Sequence, residues 1–181
     1  MAAVRIYEGY PDAENVPVKC YEGTVTKSNV IKGGLTVEDA IAYSAPLQKG
    51  DLFKVKDDSN GEGYIVVEKV TLGSNEVNDA HGMIIDNPQG DDQVTASGGT
   101  PSNADRRIAT ARFFGSKLVA MDVSSTGAIR AGYTIVYDEA AEGIKEGSAT
   151  LANGSAVNLA NTAAGGKAPV LLGYGGFNPA D

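Results

Sequence analysis

The sequence predicts a mainly β fold: a small β-barrel, β-sandwich or β-tulip with at most one short helix, joined by long loops and arms rich in Gly, Ser and Asn. Three observations predict it. Glycine supplies 23 of the 181 residues, nearly twice the usual share of about 7%. Apolar residues fall in short runs bounded by Gly, Asp, Asn and Ser, a spacing that suits a sandwich or barrel better than a βαβ array. Hydrophobic residues make up 42% and charged residues 21%, enough for a real core and too apolar for wholesale disorder. At this length the chain holds one ordinary domain or two very small ones.

Strands are expected at 4–7, 18–21, 24–30, 52–56, 64–72, 82–85, 108–114, 117–123, 133–137 and 169–172. Gly115-Ser116 predicts a type II′ hairpin between two of them, because glycine at the first loop position takes a positive φ. Phe113, Phe114, Leu118, Val119 and Met121 would then pack across it. One short helix is predicted from Thr36, with its hydroxyl as cap, Asp39 near the positive end, and Val37, Ala40, Ile41 and Ala42 as an incomplete apolar stripe.

The polar stretch 86–105 is long for an inert connector and reads as a lid, an arm or a contact loop. Its Asp91 and Asp92 read as solvated loop charges. Residues 147–167 are small and polar; Leu151, Val157 and Leu159 allow one weak strand, and the rest is expected to be mobile. The chain thus divides into an N-terminal arm with the first strands (1–35), a β-rich core (36–146), and a flexible segment with a C-terminal strand (147–181). Within the core, Lys49-Gly50-Asp51-Leu52-Phe53-Lys54-Val55-Lys56-Asp57 echoes Ala131-Gly132-Tyr133-Thr134-Ile135-Val136-Tyr137-Asp138. Two related small β-units, or two generic hairpins that coincide, both account for the echo.

The inventory of reactive groups is thin. His81 is the only histidine and reads as a turn-edge residue at a strand entrance. No serine sits in a Gly-x-Ser-x-Gly elbow, and a hydroxyl without a positioned base is a poor nucleophile. Cys20 is alone, which excludes an intrachain disulfide and a cysteine zinc site, and reads as a small buried hydrophobe. Gly165-Gly166-Lys167 lacks the first glycine and the final Ser/Thr of a phosphate loop, with Asn161 and Ala168 in those places. Asp58-Ser59-Asn60-Gly61-Glu62-Gly63-Tyr64-Ile65 resembles an EF-hand loop, but its twelfth position is Lys69 and its flanks carry strand residues, so a hairpin turn is preferred. No catalytic, cofactor or metal residue is assigned. Tyr10, Tyr21, Tyr43, Tyr64, Tyr133, Tyr137 and Tyr174 would serve a carbohydrate- or receptor-binding module, although strand placement favours packing for most.

The net charge of −8 repels phosphate backbones and anionic membranes. Without a basic leader or a run of about 18 apolar residues, the chain reads as soluble and unexported, with neither nucleic acid nor membrane as partner.

The segments Ala45-Pro46-Leu47-Gln48-Lys49-Gly50-Asp51-Leu52-Phe53, Gly127-Ala128-Ile129-Arg130-Ala131-Gly132-Tyr133-Thr134-Ile135-Val136-Tyr137-Asp138 and Gly166-Lys167-Ala168-Pro169-Val170-Leu171-Leu172-Gly173 resemble those of tailed-virus head decoration proteins, also called capsid cement proteins. The resemblance implies a compact β-barrel or β-tulip made in the host cytoplasm. It would act on the outer surface of the virion capsid, often as a trimer, bridging neighbours in the major capsid protein lattice without enzymatic activity or cofactor. A carbohydrate- or receptor-binding module of a virion and a calcium-stabilised β-module are the alternatives.

Overall fold

Period-two burial along short strands is the organising pattern, and it closes two rings. The computed structural model describes residues 12–32, 35–56, 63–70, 80–90, 99–102 and 105–175, with the backbone alone for 29–40. In chain order the strands are β1 (Val16–Tyr21), β2 (Val25–Lys32), β3 (Leu35–Tyr43), β4 (Leu52–Val55), β5 (Ile65–Lys69), β6 (Gly82–Gln89), β7 (Ile108–Phe113), β8 (Lys117–Asp122), β9 (Ile135–Asp138), β10 (Gly143–Glu146), β11 (Val157–Asn158) and β12 (Lys167–Leu172). A 3-10 turn, Glu139–Ala141, lies between β9 and β10.

The first ring is a closed barrel in the order β1-β5-β4-β6-β7. Four of its pairings are antiparallel; β1 and β5 run parallel, with Val18 opposite Ile65 and Cys20 opposite Val67. Alternate residues face inward, so Val16, Val18, Cys20, Phe53, Ala111 and Phe113 are buried. Phe53 and Phe113 meet edge to face at 5.2 Å between ring centroids.

The second ring repeats that circuit, closing its ladders with single bridges. β8 pairs with β12, β12 with β11 and β9 with β10, while the bridges Thr134–Val157 (antiparallel) and Val123–Ile144 (parallel) complete the order β8-β10-β9-β11-β12. The registers coincide. Cys20 opposite Val67 corresponds to Val123 opposite Ile144, Leu52 opposite Met83 to Thr134 opposite Val157, and Ile84 opposite Ala111 to Asn158 opposite Val170. Gly50 N–H donates to Ile84 O and Ile84 N–H to Asp51 O; Gly132 N–H donates to Asn158 O and Asn158 N–H to Tyr133 O. Both glycines hold positive φ, +92° and +83°, at the same turn. The second interior is built from Val123, Ile129, Ile144, Ala168 and Val170. The rings are joined by apolar contact: Leu118, Val157, Leu159, Leu171 and Tyr174 belong to the first ring's core cluster.

Side-chain volume is balanced between corresponding positions. Gly82 lies opposite Phe53 and Phe113, and a Cβ there would overlap the Phe53 ring and the Arg112 carbonyl oxygen. At the matching place in the second ring stands Ala156, whose carbonyl accepts the Ile135 N–H at 3.0 Å, beside the smaller Ile135.

Several expectations are corrected. The segment from Thr36 is not a helix but β3, paired with β2 from Val25 opposite Tyr43 to Lys32 opposite Leu35; the β-branched Thr36, Val37 and Ile41 suit a strand, and β2 supplies the hydrogen-bonding partner. Phe114–Lys117 is not a type II′ hairpin: β7 belongs to the first ring, while β8 pairs with β12. Gly115 is outside the positive-φ set; its role is close approach, since a Cβ would stand 2.5 Å from Leu171 Cδ1. β6 extends to Gln89, so the polar stretch expected from Asp86 begins as strand. The segment 147–167 is tied into the second ring through Ser148, Val157, Asn158 and Leu159. The strand expected at 4–7 and the loop positions 58–62, 91 and 92 lie outside the described residues.

Gly82→Ala is expected to lower stability by about 2 kcal/mol through overpacking, measurable by urea unfolding. Adding Phe53→Ile, which imports the second ring's smaller neighbour, should recover part of that loss, so that the double variant falls short of the sum of the singles.

Candidate functional site

Comparison of the two rings isolates one element that ring closure does not require. In the second ring the path from Val123 to the buried Ile129 is a short turn, pinned where Thr126 N–H donates to Ser124 Oγ at 3.1 Å. In the first ring the corresponding path from Cys20 to the buried Leu47 carries the whole of β2 and β3. These strands form a separate two-stranded sheet, about 25 Å long at the usual strand rise. Two strands alone are marginally stable in water, so the arm needs its root held.

The root is held by a buried charge. Glu22 is 4% exposed and accepts from Arg107 Nε at 2.8 Å and Nη2 at 2.5 Å. The same carboxylate accepts the Leu47 N–H at 3.2 Å, and the Glu22 carbonyl accepts the Ala45 N–H at 3.0 Å. Glu22 thereby fixes the strand entering the arm, the strand returning from it, and the approach to β7. Around it, Thr24 N–H donates to Ser44 Oγ and Ser44 N–H to Thr24 O, both at 2.9 Å. Gly23 has φ +74° with no room for a Cβ beside Ser44. The Arg107 guanidinium stacks 4.3 Å from the Tyr43 ring centroid. Val25 and Gly99 exchange two backbone hydrogen bonds at 2.7 and 2.9 Å, tying the arm to the chain after the polar stretch.

His81 stands directly before β6, at the strand entrance expected of it, and is buried, at 4% exposure. Its Nδ1 accepts the Val55 N–H at 3.1 Å, which places the proton of the neutral ring on Nε2, an atom without a hydrogen-bonding partner. Desolvation, with a smaller contribution from the Lys54 charge, lowers its pKa to about 4. At neutral pH it is an uncharged packing group shut off from solvent.

The described tyrosines divide clearly, while Tyr10 lies outside the described residues. Tyr21, Tyr43, Tyr64 and Tyr133 lie beneath cationic side chains, and Tyr174 is buried with its O–H donating to Ala80 O at 2.8 Å. Tyr137, by contrast, is 63% exposed beside Val136 at 45%. Sequence reasoning groups it with the packed tyrosines, because β9 reads as a half-buried strand. Cys20 is buried against the first ring's core. Among the described residues no group of three or more His, Cys, Asp or Glu side chains could hold a metal ion. Sequence reasoning finds the arm's first strand at 24–30 but not its pairing with β3 or its Glu22 clamp. The signals available are Gly33-Gly34 between two β-branched runs and an acid immediately before Gly23.

Glu22→Ala is expected to cost about 3 kcal/mol, because it strands Arg107 and frees the Leu47 amide; Arg107→Ala should cost a similar amount, with strong coupling in the double variant. A second expectation concerns acid. The folded pKa of His81 lies below its unfolded value of 6.5, so the unfolded chain binds more protons between those values. Stability is therefore full above pH 6.5 and falls by about 3 kcal/mol as pH drops to 4. Urea midpoints across that range should decline in the parent chain and decline less in His81→Gln.

Compared with known proteins, the chain matches no family model, no curated sequence and no solved structure.

Proposed function

We propose that the chain is a structural virion protein that binds the outer surface of an assembled viral capsid and stabilises it. The observation that carries this reading is the clamped β2–β3 arm, an insertion in a ring whose counterpart closes without it. An element that folding of the ring does not demand, held at its root by a buried ion pair, is suited to engaging a partner. The extended strands offer backbone donors and acceptors to a sheet edge.

The rest of the molecule fits a role exercised through shape. The rings are filled with side chains, and the sole histidine is sealed from any substrate. Many weak contacts repeated over a lattice give occupancy through avidity, which asks only modest affinity of each arm. The resemblance to decoration proteins supplies the partner, the major capsid protein lattice, and a place on the virion exterior after synthesis in the host cytoplasm.

The test replaces Val25–Tyr43 with a turn copied from Ser124–Gly127 and compares both chains on capsids purified without either. The shortened chain is expected to keep its unfolding transition and lose most of its capsid binding in co-sedimentation, together with the protection of particles against heat. Unchanged occupancy by a folded, shortened chain would overturn the assignment.

A further inference from the structure

The two rings meet asymmetrically, and each end of the pair has a counterpart left bare. Within the molecule the Gly132 turn of the second ring sits over the first: a Cβ on Gly132 would stand 3.8 Å from Val55 Cγ2 and 3.8 Å from His81 Cε1. By register, Val55 corresponds to Tyr137 and Lys54 to Val136, since Val55 lies opposite Val67 and Tyr137 opposite Ile144. Val55 is 7% exposed beneath this contact. Its counterpart Tyr137 is uncovered; with Ile41 and Val136, the latter on the opposite face of β9, it makes up the exposed large hydrophobics among the described residues. The turn that would cover Tyr137 also has a counterpart. Gly50 matches Gly132 in φ and hydrogen bonding, and nothing among the described residues lies within 4 Å of where its Cβ would stand.

We propose that a second copy of the chain docks its Gly50 turn on Tyr137, repeating between molecules the contact that joins the two rings within one. The charges agree with that occupant. Glu139 and Glu142, both exposed, follow Tyr137 in the chain, while exposed Lys49 adjoins Gly50 on the docking turn; Lys145 lies across from Val136 on the other face of β9, and Arg112, on the same ring as Gly50, is ion-paired to Glu14 at 2.9 Å. The contact is weaker than its intramolecular template. Leu118 and Leu171, which face the first ring, correspond to Asn15 and Arg112 on the outer side of that ring, and polar residues there leave a reversible, soluble surface. Because the two faces differ, the association is head to tail, giving short rings or open chains of molecules and not an isologous dimer. It does not depend on what the arm binds, and its test needs no capsid.

The experiment is sedimentation of the full chain from micromolar to millimolar concentration, alone and as two blocked variants. Tyr137→Asp removes the receiving face; Lys49→Glu with Arg112→Glu removes the docking face. The parent chain is expected to associate with rising concentration, and each variant alone to associate at least about tenfold more weakly. Mixing the variants should restore association and stop it at a one-to-one pair, since each retains the face the other lacks. That rescue also shows both variants to be folded. A parent chain monomeric at millimolar concentration, blocked variants that associate as well as the parent, or a mixture that stays monomeric would each overturn the proposal.

Discussion

Parallel pairing between the first and third strands of each ring is the constraint on which the rest of the structure depends. Without the match of Val18–Tyr21 to Ile65–Glu68, the antiparallel pairings β5-β4-β6-β7-β1 would form an open sheet with two unpaired edges. Closure gives the inward residues, Ile65 and Val67 among them, a common interior. The same pairing in the second ring rests on the single bridge between Val123 and Ile144, reinforced where Ser124 N–H donates to Ile144 O at 2.8 Å. Closure also determines how much volume the inward positions can hold, which is why glycine faces two phenylalanines in one ring and alanine faces smaller groups in the other.

The β class was legible because it rests on local alternation. β1, β4, β5, β7, β8 and β12 all lie where alternating apolar residues end at Gly or an acidic turn. Partnership between strands was not legible, because register is decided by residues distant in the chain. Gly115-Ser116 carries good turn chemistry for pairing β7 with β8, yet six residues of β12 compete for the same strand and win. Thr36–Ala42 failed for a related reason: a capping hydroxyl and a few apolar residues are too little to outweigh a ready partner across Gly33-Gly34. The segment 147–167 looked mobile because its apolar residues are sparse, but Asn158 holds it by donating to the carbonyls of Arg130 and Ala160 at 3.0 and 2.6 Å.

Candidate functional residues were harder still to read. An acid before a glycine is commonplace in loops, and only the three-dimensional approach of Arg107 turns Glu22 into a clamp. His81 attracted attention through its rarity, whereas its environment makes it a pH-sensitive packing group. Tyr137 was legible as a residue type and illegible as a surface, because its exposure follows from the absence at the second ring of a neighbour that the first ring possesses.

Each ring is written in one uninterrupted stretch of chain, β1 to β7 and then β8 to β12. A ribosome making this protein therefore delivers every strand of the first barrel before any strand of the second leaves the exit tunnel. Until the second ring has emerged, the nascent molecule is a closed barrel whose Val55 and His81 flank still awaits its cover, and a chaperone meeting it at that stage would find an apolar surface that the folded pair of rings conceals.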